Sequence, residues 1–179
     1  MESLIFFLRH GFVFYGGLIG ALIMVWIYTH AFKLSFWKMS DRLIIGAPLI
    51  HAIGRLGCFF AGCCHGRASD SACAVTFHPD SVAPQGQSFL PTQLFESGAN
   101  LLIFIILFVY SRRSPADRKL LGLYLMLYAV ARFVLEFFRG DLDRGFLFSL
   151  STSQWISIVL LPVGLVLIFV RFTAKKKEE

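Results

Sequence analysis

Charged residues are scarce in this sequence: Asp, Glu, Lys and Arg together make up 16% of its 179 residues. Soluble domains carry about a quarter charged residues, so the composition excludes an ordinary soluble globular class. Hydrophobic residues take their place, at 56% of the chain with 20 phenylalanines. The small number of charged residues therefore predicts an integral membrane protein, whose surface is largely in contact with lipid.

A separate soluble domain and an internal repeat are also missing. The longest polar stretch, about residues 62–92, is too short to build a core of its own. We expect no cleavable signal peptide, because Met1–Leu8 lacks a basic segment and no small-residue cleavage site follows it. Residues 1–179 are thus predicted to form a single transmembrane domain.

Five continuous apolar runs are long enough to cross a bilayer, which takes about 20 residues in a helix. Barrel strands would alternate every second residue, so the runs predict an all-α, polytopic helical membrane protein. The predicted spans are Phe12–Phe32, Leu43–Gly62, Gln93–Tyr110, Leu120–Phe138 and Ser153–Phe172.

The net charge of +6 comes from basic clusters that lie between the apolar runs. Such clusters mark cytoplasmic loops, and no basic face remains that would suit a nucleic-acid partner. All of them share one side if the N-terminus is outside and the C-terminus cytoplasmic, which makes residues 62–92 extracytoplasmic. The clusters consist of Lys33, Lys38 and Arg42; Arg112, Arg113, Arg118 and Lys119; and Arg171, Lys175, Lys176 and Lys177.

Charged side chains inside the spans are costly and usually mark a functional site. Arg55 lies twelve residues beyond Leu43, and Arg132 lies twelve beyond Leu120, both counted from the inner face. At about 1.5 Å per residue, each is roughly 18 Å up, in the outer half of the bilayer. Two arginines at one depth on different helices predict convergence on a single ligand.

Helical spacing adds two more charges to this site. Arg132, Glu136 and Arg139 stand at i, i+4 and i+7 and share one face. An Arg132–Glu136 pair alone would be structural, but it leaves Arg55 and Arg139 without a counter-ion. Spare guanidiniums favour a bidentate anion such as a phosphodiester, although Glu96 near the start of span three is an alternative partner for one of them.

Span two ends in an unusual segment rich in glycine and cysteine. Gly54, Gly57, Gly62 and Gly66 favour close backbone approach or a turn of the chain back towards the protein. Irregular backbone at membrane depth is tolerated where it is buried or lines a cavity. The segment is therefore predicted to form the wall of a pocket beside Arg55.

All four cysteines lie at or beyond the outer end of span two, and three interpretations of their chemical role are open. An oxidising outer face would allow a disulfide, and Cys63 or Cys58 with His65 as base would form a reactive thiol. A metal site is the third, but no Cys-x₂-Cys pair is present, so we predict none. The residues concerned are Cys58, Cys63, Cys64, His65, Cys73 and His78.

Four ordered motifs resemble the bacterial prolipoprotein diacylglyceryl transferases. Tyr15-Gly-Gly-Leu-Ile-Gly20 resembles the family's H-G-G-L-I-G, and Gly54-Arg-Leu-Gly-Cys-Phe-Phe-Ala-Gly-Cys-Cys-His-Gly66 resembles G-R-x-G-N-F-x-N-G-E-x-x-G. Pro91-Thr-Gln-Leu-Phe-Glu96 resembles H-P-S-Q-L-Y-E, and Ala131-Arg-Phe-Val-Leu-Glu-Phe-Phe-Arg139 resembles A-R-x-x-x-E-F-F-R. Compared with a typical member, the chain is expected to lack the first two spans, a difference that keeps the polarity.

The resemblance implies transfer of a diacylglyceryl group from phosphatidylglycerol to a lipoprotein cysteine in the bacterial cytoplasmic (inner) membrane. For this chain we predict transfer of a diacylglyceryl or related lipid group to a thiol or other acceptor, with no cofactor. The resemblance places Arg55, Gly66, Arg132, Glu136 and Arg139 at the phospholipid. The full catalytic prediction is Arg55, Cys58, Cys63, His65, Arg132 and Glu136. The substrate-binding prediction is Tyr15, Gly16, Gly17, Gly66, Gln93, Glu96 and Arg139.

Four positions depart from the family pattern. Tyr15 and Leu90 stand where the family has histidines, Cys58 where it has asparagine and Cys63 where it has glutamate. Proton-handling groups are thus replaced while the arginines persist. A non-catalytic phospholipid-binding subunit and a thiol-redox membrane protein are therefore the alternative functions.

Overall fold

The computed structural model describes residues 17, 19–113, 117–140, 146–147 and 150–169. The described chain is helical, with two short antiparallel strand pairs in its loops. The helices are α1 (Ile19–Ala31), α2 (Phe36–Ile44), α3 (Ala47–Ala61), α4 (Thr92–Ser111), α5 (Lys119–Glu136) and α6 (Thr152–Phe169). The strands are β1 (Val75–Thr76), β2 (Ser88–Phe89), β3 (Phe146–Leu147) and β4 (Leu150–Ser151).

Three segments of the described chain are long and apolar enough to cross a membrane: Phe36–Ala61, Thr92–Ser111 and Thr152–Phe169. The all-α polytopic class is confirmed by these helices, and their large exposed apolar side chains suit contact with lipid. Helix α5 fills the fourth predicted position but carries Arg132 and Glu136. The first predicted span begins outside the described residues, and its described part is the shorter helix α1.

The second span is broken near its N-terminal end. Ser35 caps the start of α2, and a turn at Ile45 and Gly46 precedes α3, which starts with Pro48 in its first turn. The buried carboxylate of Asp41 accepts a 2.9 Å hydrogen bond from the backbone N–H of Leu121. An acceptor at this place satisfies one of the open N–H groups at the start of α5 and so ties that helix to α2.

Helices α5 and α6 pack most closely through a pair of glycines. A Cβ at Gly122 would lie 2.8 Å from the Gly164 carbonyl oxygen, and one at Gly164 would lie 2.7 Å from the Gly122 oxygen. Small residues allow such close helix crossings, which are a main source of packing in lipid. The crossing holds the N-terminal end of α6 beside the C-terminal half of α5, where Arg132 lies.

The segment after α3 returns to the helix ends through backbone hydrogen bonds. The Gly66 N–H donates to the Leu90 carbonyl, the Leu90 N–H donates to the Arg67 carbonyl, and the Arg67 N–H donates to the Phe138 carbonyl. Gly66 also pairs with Arg139 as an isolated antiparallel bridge. This junction fixes the C-terminal ends of α3 and α5 and the N-terminal end of α4 against one another.

The four glycines of the segment behave differently. Gly62 ends α3 with φ of +71°, and Gly66 is packed tightly, so both form the predicted turn. At Gly54 and Gly57 an added Cβ would meet nothing within 4 Å. The expected close packing at these two positions is therefore wrong for the described residues, because that side of α3 faces outward.

Candidate functional site

A single carboxylate lies at the centre of the intramembrane charges. Glu96, 3% exposed and one turn into α4, has its Oε1 3.0 Å from Arg55 Nη2, 3.8 Å from Arg132 Nη1 and 3.5 Å from His51 Nε2. Its Oε2 lies 3.5 Å from Arg139 Nη1. Helices α3 and α5 run in the same direction, and α4 runs antiparallel to them. Residues from the C-terminal halves of α3 and α5 therefore meet Glu96 near the N-terminal end of α4.

Arg132 is held by contacts from two helices. It is 8% exposed, and its Nη2 lies 2.8 Å from Glu136 Oε2 and donates a 3.0 Å hydrogen bond to Ser153 Oγ. The i,i+4 spacing on α5 brings Glu136 to it, and the α5–α6 crossing brings Ser153. Both contacts fix the plane of the guanidinium, so that its remaining nitrogen points to the cluster.

Glu96 corrects one expectation from the sequence. Arg55 and Arg139 are not left uncompensated by the Arg132–Glu136 pair, because both contact Glu96. Among the residues that the structure describes, the cluster holds three guanidiniums against two carboxylates, an excess of one positive charge. A buried excess charge is costly unless an opposite charge joins it, which favours a monoanionic ligand.

Two guanidinium nitrogens, one of Arg55 and one of Arg132, have no hydrogen-bond acceptor among the described residues. Arg55 Nε and Arg132 Nη1 are buried, and neither makes a hydrogen bond within the described residues. Buried N–H groups normally find an acceptor. Two guanidinium donors beside a net positive charge suit the paired oxygens of a phosphodiester, which accepts bidentate contacts.

Polar side chains at the start of α4 connect the cluster to the backbone of the glycine and cysteine segment. Gln93 Nε2 donates to the Cys63 carbonyl at 2.8 Å, and Thr92 Oγ1 donates to the Cys64 carbonyl at 3.2 Å. One turn further, Ser97 Oγ donates to the Ala52 carbonyl at 2.9 Å. Gln93, predicted to bind substrate, is thus buried and acts on the protein's own backbone, while its Oε1 has no partner in the described chain.

Gly66, also predicted to lie at the substrate, sits at the tightest point of the junction. An added Cβ would lie 2.6 Å from the Phe138 carbonyl oxygen, 2.7 Å from Thr92 Cγ2 and 2.9 Å from Leu90 Cβ. The absence of a side chain therefore allows the segment to approach the C-terminal end of α5, where Arg139 follows.

The Gly66→Ala variant is expected to lose about 1 to 3 kcal/mol of stability, because the methyl group must push apart three elements. The thermal midpoint of the purified protein in detergent measures this loss. Gly98→Ala is the matched control, since a Cβ at Gly98 meets nothing within 4 Å. An equal midpoint for both variants would contradict the packing described here.

Three of the four cysteines come together. The sulfurs of Cys58, Cys63 and Cys64 all lie within 4.8 Å of one another, whereas exposed Cys73 is not in this group. Burial, together with the neighbouring Cys64 and Cys58 thiols, raises the pKa of Cys63 to about 11. A thiol with that pKa is protonated near neutral pH, so Cys63 alone is a poor nucleophile.

His65, predicted to serve as the base, points elsewhere. Its ring packs against Phe89 with centroids 4.0 Å apart, and its Nδ1 lies 3.0 Å from the Gly66 carbonyl oxygen. It is not part of the group of sulfurs. The structure therefore does not bring together the predicted thiol and base.

Sequence comparison assigns the chain to a family. A sequence model described as prolipoprotein diacylglyceryl transferase matches residues 2–170. The chain belongs to the prolipoprotein diacylglyceryl transferase family. The motifs that suggested this resemblance are the ones that build the Glu96 cluster and the Gly66 junction.

Relatives named phosphatidylglycerol–prolipoprotein diacylglyceryl transferase occur in several bacteria. The chain is 37% identical to that of Clostridium tetani, over 88% of this chain and 63% of the relative. It is 35% identical to the second transferase of Clostridium perfringens, over 94% and 66%, and 36% identical to that of Chlorobaculum tepidum, over 87% and 54%. The chain thus spans between about half and two thirds of the length of these family members.

The family's first glycine motif is only partly visible in this member. Tyr15 and Gly16 lie outside the described residues, and Gly17 is exposed. Leu90, at the position of the family's second histidine, is 8% exposed and packs beside Gly66. An apolar side chain fills the place where this transferase family carries an imidazole.

Two residues of the cluster were missed by the sequence predictions. His51 lies 3.5 Å from Glu96, and Ser153 accepts a hydrogen bond from Arg132. The i,i+4 spacing of His51 and Arg55 on α3 is a signal that would have found the histidine. Ser153 follows a loop and contacts Arg132 only through helix crossing, so no local pattern marks it.

Proposed function

We propose that this chain is a membrane transferase that moves a diacylglyceryl group from phosphatidylglycerol to the cysteine thiol of a prolipoprotein. The names of its relatives state this reaction for those proteins. The observation in the structure that supports it is the buried cluster around Glu96, in which Arg55 Nε and Arg132 Nη1 have no acceptor among the described residues.

The phosphodiester of phosphatidylglycerol matches this cluster in charge and shape. It carries one negative charge, which balances the excess, and its two non-bridging oxygens match the donors of Arg55 and Arg132. Glu96 positions the guanidiniums and keeps them from repelling one another. Large exposed apolar side chains on the surrounding helices leave the acyl chains of the lipid in a lipid environment.

The reaction places new charge where the arginines lie. A thiolate sulfur attacks the glyceryl CH₂ carbon of the diacylglyceryl group, the carbon–oxygen bond to phosphate breaks, and the electron pair leaves with the oxygen as glycerol phosphate. The leaving group gains a second negative charge as this bond breaks. Preorganised cations that meet developing charge in a buried site are the largest contribution to many such rate enhancements.

We infer from the basic clusters and the shared depth of Arg55 and Arg132 that this chemistry takes place in the outer half of the bilayer, with residues 62–92 on the extracytoplasmic side. The Gly66 junction lies at that end, next to Arg139. A prolipoprotein cysteine would thus reach the phospholipid from the extracytoplasmic side without crossing the bilayer.

Turnover in liposomes tests the proposal. The purified chain, mixed with phosphatidylglycerol liposomes and a prolipoprotein peptide with one cysteine, is expected to release glycerol phosphate and to increase the peptide mass by one diacylglyceryl group. Phosphatidylethanolamine liposomes are the control, because that headgroup is zwitterionic. Absence of both products with phosphatidylglycerol would overturn the transferase assignment.

A non-catalytic phospholipid-binding role is the second candidate. The buried Leu90 in place of an imidazole favours it, because one proton-handling group is lost while the anion site remains. The same experiment separates the two functions. Phosphatidylglycerol that stays bound in native mass spectrometry while no glycerol phosphate appears would establish the binding role.

A further inference from the structure

The sulfurs of Cys58, Cys63 and Cys64 form a ligand set that the phospholipid site does not use. All three lie within 4.8 Å of one another. Zinc–thiolate bonds of about 2.3 Å at tetrahedral angles separate sulfurs by about 3.8 Å, so contractions of about 1 Å or less bring the set to zinc geometry. Side-chain rotation alone covers movements of this size.

The backbone of the group is held in place from two sides. Cys64 adopts a φ of +59°, a conformation that non-glycine residues rarely take, two residues after Gly62, whose φ is +71°. Thr92 and Gln93 bind the carbonyls of Cys64 and Cys63. Strained backbone that surrounding contacts maintain is a feature of functional sites, and such contacts to ligand residues orient metal centres.

The group supplies three ligands and no fourth. Among the residues that the structure describes, no further His, Cys, Asp or Glu side chain belongs to it. Structural zinc sites are closed by four protein ligands, whereas reactive zinc sites keep one position open. Three thiolates therefore suit a zinc ion whose fourth position takes an exchangeable ligand.

Two helices place the thiols one turn outward from the cluster around Glu96. Cys58 follows Arg55 by three residues on α3, about 4.5 Å along the helix axis. Gln93, which holds Cys63, precedes Glu96 by three residues on α4. The thiols therefore lie between the phosphodiester site and the loop side from which a prolipoprotein would approach.

Charge favours a divalent over a monovalent ion. Three thiolates around Zn²⁺ carry one net negative charge, whereas the same thiolates around Cu⁺ carry two. The divalent ion leaves the smaller unbalanced charge in this buried region.

We propose that Cys58, Cys63 and Cys64 bind one zinc ion through three thiolates, and that its open fourth position binds and deprotonates the acceptor thiol. This inference rests on the proposed transfer to a thiol. A thiol that coordinates zinc loses its proton; here the proton leaves to solvent, and the resulting sulfur attacks the glyceryl carbon while glycerol phosphate departs. The zinc ion thus deprotonates the acceptor in a chain that has Leu90, Cys58 and Cys63 where the resemblance implies histidine, asparagine and glutamate.

Zinc content and sulfur coordination of the full-length protein test the site. The protein, purified in detergent and reconstituted with zinc chloride, is expected to hold about one zinc ion per chain by elemental analysis. Zinc X-ray absorption is expected to show three sulfurs and one lighter ligand, and four sulfurs after addition of a prolipoprotein peptide with one cysteine. The same peptide with serine in place of cysteine is expected to leave three sulfurs.

Serine variants identify the ligands. Cys63→Ser and the double variant Cys58→Ser/Cys64→Ser are expected to lower zinc affinity by roughly 10-fold or more. Cys73→Ser is the matched control and is expected to keep the zinc. Phosphatidylglycerol binding in native mass spectrometry shows that each variant is folded.

The outcomes separate this inference from the proposed function. Reduced protein that binds no zinc, or that keeps full affinity in Cys63→Ser, overturns the metal site, as does a disulfide within the group that persists during turnover. Transfer to the peptide without zinc overturns the proposed activation of the acceptor thiol by zinc and leaves the transferase function intact. If zinc is bound by three sulfurs but no glycerol phosphate is released, the metal site is established and the transferase function is contradicted.

Discussion

Replacing Glu96 with glutamine is expected to destabilise the protein by about 3 to 5 kcal/mol, the usual cost of removing one partner from a buried ionic group. Glu96 is 3% exposed and contacts Arg55, Arg132 and Arg139. A neutral amide of the same size leaves three guanidiniums against one carboxylate. The excess charge of the cluster then rises from one to two, and the arginines repel one another.

The thermal midpoint in detergent measures the loss, and two further variants show its cause. Asp80→Asn removes an exposed carboxylate that lies 3.4 Å from exposed His78 and is expected to change stability by less than about 1 kcal/mol. The double variant Glu96→Gln/Arg55→Gln returns the excess to one positive charge and is expected to recover part of the midpoint. A Glu96→Gln midpoint equal to that of Asp80→Asn would contradict the central role of this carboxylate.

The Arg132→Ala variant is expected to lower transfer from phosphatidylglycerol by about 100-fold or more, the usual effect of removing one preorganised group that meets developing charge. Arg132 contributes an available donor, and its contacts with Glu136 and Ser153 fix its orientation. Membrane insertion is expected to persist, because losing a charge makes a span easier to insert.

Two other arginine variants separate charge from geometry. Arg132→Lys keeps the charge but not the planar fork of donors, so we expect an activity between that of alanine and that of the unmodified protein. Arg113→Ala removes an exposed arginine after α4 and is expected to leave transfer unchanged. Glycerol phosphate release is the readout; full turnover in Arg132→Ala would refute the phospholipid site.

Local patterns in the sequence were enough to predict the helices. A bilayer core demands about 20 apolar residues in a helix, so the runs at Gln93–Tyr110 and Ser153–Phe172 closely match α4 (Thr92–Ser111) and the described α6 (Thr152–Phe169). The second span was predicted too short. Its helical part begins at Phe36, because α2 is amphipathic and its polar residues interrupt the apolar run.

The intramembrane charges were also visible in the sequence, but their partners were not all predictable. Spacing predicted the Arg132–Glu136 pair and the shared depth of Arg55 and Arg132. Which carboxylate meets which guanidinium depends on the rotation and crossing of three helices. Only the tertiary structure therefore placed Glu96 between Arg55, Arg132 and Arg139, with His51 beside it.

The sequence by itself thus determined a helical membrane protein of this family with buried arginines, because hydrocarbon allows few alternatives for apolar runs and makes every charge conspicuous. The tertiary structure alone decided how the cysteines relate. Spacing along the chain gave no zinc motif, but the left-handed turns at Gly62 and Cys64 fold the chain so that three sulfurs meet. Backbone dihedral angles and contacts between helices bring that group together beside the arginines, and neither can be predicted from the spacing of residues along the chain.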